Sequence, residues 1–60
     1  MPTVDELNAA MRRIFATHHI DPGVGEEMFW EAVESVRAVD PADADRLEDL
    51  AEQWAVANRP

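Results

Sequence analysis

Apolar residues recur along this chain at the 3.6-residue spacing of amphipathic helices. Val4, Leu7, Met11, Ile14, Phe15 and His18 share about 100° of one helical wheel, with Asp5, Glu6, Arg12, Arg13 and Thr17 outside it. Thr3-Val4-Asp5-Glu6 matches a capping box, in which the Thr3 hydroxyl accepts from the Glu6 N–H and the Glu6 carboxylate accepts from the Thr3 N–H. A first helix is therefore expected from Thr3 to His18.

The segment His19-Ile20-Asp21-Pro22-Gly23-Val24 reads as a loop, with Pro22-Gly23 suited to the centre of a type II turn. Gly25 then serves as the N-cap of a second helix, with Val24 stapled onto Phe29 and Glu26 and Glu27 at the positive end of the dipole. A start at Asp21-Pro22 is the alternative, and it places two glycines in the first turns. Asp40-Pro41 is a strong N-cap and N1 pair, so the second helix stops near Val39 and a third follows almost at once. The third helix carries Ala44, Leu47, Leu50, Ala51, Trp54, Ala55 and Ala57 on one face, with Asp45, Glu48, Asp49 and Glu52 on the other. The expected fold is all-α, a compact three-helix bundle with helices about 3–18, 25–39 and 41–58, forming one domain over residues 1–60.

Met28, Phe29 and Trp30 are consecutive, and a helix cannot point three successive side chains at one core. On a wheel centred at Phe29, the residues Met28, Ala32, Val33, Val36 and Val39 form one stripe, whereas Trp30 falls at about +100°. Glu26 and Glu34 are its neighbours one turn away in each direction. Trp30 either packs along the edge of the bundle or anchors an interface, a role in which tryptophan is enriched. Trp54 lies within about 20° of Leu47 and is expected in the core.

Composition narrows the function. A chain of 60 residues buries only about 60% of the surface it exposes when unfolded, so a partner or a second copy would add needed stability. The absence of cysteine removes disulfides and thiolate chemistry, and is consistent with a reducing cytoplasm. No signal-peptide pattern and no membrane-spanning run is present. Thirteen acidic residues against five arginines give a net charge of −8, which repels phosphate backbones and anionic lipid. Direct nucleic-acid and membrane binding are disfavoured, and a basic protein partner is favoured. A helix-turn-helix reading of the last two helices fails for the same reason.

Little chemistry is suggested. His18 and His19 are adjacent and diverge on a helix, and no HxxxH or HExxH spacing supports a metal site. His18 is expected to bond the loop backbone at the helix C-terminus. Ser35, the only serine, sits in mid-helix beside Glu31 and Glu34, with no base placed to activate it. DPADADRLEDLAE departs from the calcium-loop pattern at Leu47 and lacks its glycine. Catalytic, metal and cofactor sites are therefore assigned as none. Carrier proteins share the acidic helical composition, but no serine stands here at a helix N-terminus to bear a prosthetic arm.

These features lead to the expectation of a non-enzymatic protein-interaction module, such as a small accessory or regulatory subunit in the cytoplasm. Trp30 would be the anchor, flanked by Met28 and by Glu27, Glu31 and Glu34, with homo-oligomerisation plausible. The alternatives are an acidic nucleic-acid mimic that inhibits a basic DNA-binding protein, and a self-assembling structural protein. Mimicry weakens steeply with salt, whereas an aromatic anchor does not.

Overall fold

A computed structural model describes residues 2–59, which are all-α: α1 (Val4–Thr17), α2 (Pro22–Glu27), α3 (Phe29–Val39) and α4 (Pro41–Ala57). The molecule measures 33 × 20 × 16 Å. α4 is the spine, packing against α1 on one side and α3 on the other, while α2 bridges α1 and α3.

The helix ends follow local sequence chemistry. Thr3 and Glu6 form the expected capping box, with Glu6 N–H donating to Thr3 Oγ1 at 3.2 Å and Thr3 N–H to Glu6 Oε1 at 3.3 Å. Asp40 caps α4 through Oδ1, which accepts from Ala42 and Asp43 N–H at 3.1 and 3.2 Å, with Pro41 opening the helix. α1 ends in a Schellman motif: the Ile20 N–H reaches Phe15 O at 2.9 Å and the His19 N–H reaches Ala16 O at 3.1 Å. His19 takes the left-handed position (φ 60°) that glycine more often fills. Ile20 then packs onto the core that contains Phe15.

The expected three-helix bundle needs correction to four helices. Asp21, not Gly25, is the N-cap that follows α1: its Oδ1 accepts from Gly23 N–H at 2.8 Å and Val24 N–H at 3.4 Å, with Pro22 at the first helical position. Pro22-Gly23 is thus the first turn of α2 rather than a type II turn, and Val24 is half exposed instead of a staple. The helical path breaks at Met28 (φ −119°, ψ 51°) before α3 begins. Packing explains the break. Gly25 is buried flat on Phe15, which sets the course of α2, whereas Phe29, Ala32, Val33 and Val36 must turn toward α4.

The core consists of Phe15, Ala32, Val33, Val36, Ala44 and Leu47, with Met11, Ile14, Ile20 and Phe29 packed around it. Leu7 is buried as well. Core formation is concentrated where three helices meet, in the first half of α4. Further along α4 the expected apolar face is not enclosed: Leu50, Ala51 and Trp54 are only partly buried, and Ala55 and Ala57 are exposed. Met28 and Val39, expected on the buried stripe of the second helix, are also exposed.

Candidate functional site

Trp30 stands on α3 with 66% of its surface exposed, the outward-facing member of the Met28-Phe29-Trp30 run. It is not isolated from the core. Its ring meets Phe29 edge to face at 5.1 Å between centroids, and Phe29 meets Phe15 edge to face at 5.9 Å. This chain of three rings holds the indole on a rigid base, because each contact has the edge-to-face geometry that aromatic quadrupoles favour. Met28 lies next to it, 48% exposed.

The acidic residues expected around Trp30 are all exposed, but they are arranged differently. Glu27 closes α2 whereas Glu31 and Glu34 belong to α3, so the ridge crosses the bend at Met28 instead of following one helix. Glu26 turns toward α1 and lies 3.7 Å from the Arg12 guanidinium. Glu34 lies 3.7 Å from Arg37. Arg37 also bonds Asp45 at 2.9 Å and Glu48, tying α3 to α4. Its pKa is raised, chiefly by the hydrogen bond to Asp45; desolvation opposes this, and the charges of Glu48 and Asp45 add to it.

α3 and α4 are joined at Asp40 and pack against each other. Arg37, near the end of α3, meets Asp45 and Glu48 in the first half of α4. A groove of about 530 Å³ opens beside Phe29, walled by Met11 and Arg12 of α1, Glu26 of α2, Phe29 itself, and Trp54 and Ala55 of α4. Trp54 was expected in the core and instead forms part of this wall. Its Nε1 is buried, with no acceptor among the described residues.

At the opposite end of the molecule, His18 Nε2 lies 2.8 Å from Asp43 Oδ2, so His18 bonds a side chain of α4 and not the loop backbone. Asp40 joins them in a cluster whose donor atoms all lie within 4.8 Å of one another. Each member has a structural role, because His18 and Asp43 bond each other and Asp40 caps α4. We read the cluster as a clasp that fastens the end of α1 to the start of α4. The Ser35 hydroxyl donates back to Glu31 O at 3.2 Å, within its own helix. Among the described residues no helix is long and apolar enough to cross a membrane.

Sequence reasoning singled out Trp30 but missed the groove beside Phe29. The start at Asp21-Pro22, kept as the alternative, was part of the signal; the break at Met28, which limits the helix before α4 to 11 residues, left no mark in the periodicity. Comparison with known families, curated proteins and solved structures finds no significant match. The functional reading rests on the geometry alone.

Proposed function

We propose that this chain is a non-enzymatic protein-interaction module, a small accessory or regulatory subunit of the cytoplasm, with Trp30 as its anchor. The observation that carries the reading is the exposure of the Trp30 indole on a rigid aromatic base. An exposed tryptophan loses little side-chain entropy on binding when its ring is already held, and it brings a large apolar area to an interface. Met28 extends that area, while Glu27, Glu31 and Glu34 supply a polar, negative rim suited to a partner with basic residues.

The test compares wild type with Trp30→Ala in two assays. Light scattering during size exclusion, over a wide range of loading concentration, reads self-association. Affinity capture from cell extract, quantified by mass spectrometry, reads foreign partners. Loss of association in either assay on Trp30→Ala is the expected result. Unchanged association in both removes Trp30 as the anchor. Raising the salt concentration separates this reading from nucleic-acid mimicry, because only mimicry depends steeply on ionic strength.

A further inference from the structure

Two observations meet at the C-terminal half of α4. The first is geometric: α4 has 17 residues and α3 only 11, so at 1.5 Å rise per residue α4 outruns α3 by about 9 Å. Along that overhang α4 touches α1 but lacks a third helix, and the groove walled by Met11, Phe29, Trp54 and Ala55 occupies the missing position. Small residues, Ala51 and Ala55, line its α4 side. Alanines let another backbone come close.

The second observation is the distribution of charge. On the opposite flank of the α1–α4 pair, Arg13 and Arg46 share a shallow depression with Asp43. On the groove flank, Arg12 faces Glu26, and Arg37, further down α3, is engaged by Glu34, Asp45 and Glu48. Glu26, on the groove wall, is exposed. The positive side chains near the groove therefore have carboxylate partners, and the chain as a whole carries a charge of −8. A second copy would bring the same negative charge to the slot.

We propose that this groove receives an amphipathic helix from a basic partner protein, which lies along α1 and α4 as the third helix of the overhang. Apolar residues of that helix at i, i+3, i+4 and i+7 fill the space between Met11, Phe29 and Trp54, and its Lys and Arg residues face Glu26 and the negative field of a chain carrying −8. Trp30, joined to the groove through Phe29, closes over one edge of the docked helix. The proposal rests on the interaction-module reading and extends it from the anchor to the slot.

The test uses the whole chain and a labelled helical peptide of roughly four turns, with leucines at the i, i+3, i+4 and i+7 positions and lysines elsewhere. A twin peptide carries glutamates in place of the lysines. Fluorescence anisotropy at physiological salt reads binding. The lysine peptide is expected to bind, the glutamate twin to bind much more weakly, and Ala55→Phe, which fills the slot without changing charge, to weaken the lysine peptide by at least about tenfold. Ala55 is exposed, so this variant should keep its fold, as circular dichroism would verify. In a Trp30→Phe chain Trp54 is the only tryptophan, and its emission should shift to the blue when the lysine peptide covers the groove.

Absence of lysine-peptide binding overturns the proposal, as does binding that Ala55→Phe leaves unchanged or that leaves Trp54 emission unmoved. Equal binding of both peptides overturns the basic character of the partner. A chain dimer that Ala55→Phe dissolves assigns the slot to a second copy and also overturns it. The two readings fail separately: binding sensitive to Trp30→Ala but not to Ala55→Phe removes the groove and keeps the anchor, whereas the reverse removes the anchor and keeps the groove.

Discussion

Gly25 lies flat against the ring of Phe15, so closely that a Cβ on Gly25 would fall 2.6 Å from Phe15 Cδ2. Phe15 is itself 2% exposed and packed in the core, so its ring can give way only by disturbing its neighbours or shifting toward the groove it also lines. The contact determines how α2 crosses α1, and through α2 it determines where α3 begins.

Gly25→Ala should therefore destabilise the chain although alanine is the better helix former. Overpacking costs about 1–3 kcal/mol, and the propensity gain offsets about 1 kcal/mol of that. Gly23→Ala is the control, because its nearest neighbour at 3.1 Å is Asp21 Oδ1, the end of an exposed side chain that can shift. Urea denaturation should show a lower midpoint for Gly25→Ala than for Gly23→Ala. Equal midpoints would remove Gly25–Phe15 packing as the constraint on α2.

His19 occupies a left-handed position with a side chain that has no glycine-like freedom there. His19→Gly should relieve about 1 kcal/mol of backbone strain and lose part of that gain to the greater freedom of the unfolded glycine. A small rise in thermal midpoint is expected. His19→Val, with a β-branched side chain at the same backbone position, should lower the midpoint, and a ranking in the other direction would contradict the Schellman ending of α1.

The His18–Asp43 clasp can be weighed by a double-mutant cycle. His18 is largely buried, with 12% of its side chain exposed, and its hydrogen bond to Asp43 joins α1 to α4. A hydrogen bond of this kind contributes about 1 kcal/mol net. His18→Ala and Asp43→Ala should each destabilise, and the double variant should cost less than the two effects added, leaving a coupling of about 1 kcal/mol. Additive losses would mean that the two side chains act independently.

Leu47 is fully buried at the centre of α4, and its removal should be the most damaging single truncation. Leu→Ala changes in cores cost about 2–5 kcal/mol, and a chain this small draws about 3–5 kcal/mol from its core. Leu47→Ala should thus leave a large fraction unfolded at room temperature by circular dichroism. Val56→Ala, at a half-exposed site on the same helix, should retain full helicity. A folded Leu47→Ala chain would place the stabilising core elsewhere.

Local chemistry was legible from the residues alone. The Thr3–Glu6 capping box, the Asp40-Pro41 start of α4 and the all-helical character each depend on side chains within a few positions of one another, so the linear order contains the needed information. The outward position of Trp30 was also raised by periodicity, because its displacement from the Phe29 stripe is a property of one helix.

What the linear pattern could not reveal depended on contacts between distant segments. The burial of Gly25 on Phe15, the break at Met28 and the change from three helices to four arise where α2 meets α1, since a glycine suits both an N-cap and a close helix crossing. The fate of Trp54 was likewise a tertiary matter. It shares a face with Leu47, but α3 begins only at Phe29, on the wall of the groove, so the same apolar stripe makes a core at one end of α4 and a groove at the other. Periodicity specifies which face of a helix is apolar; only the lengths and crossings of its neighbours decide how much of that face they cover.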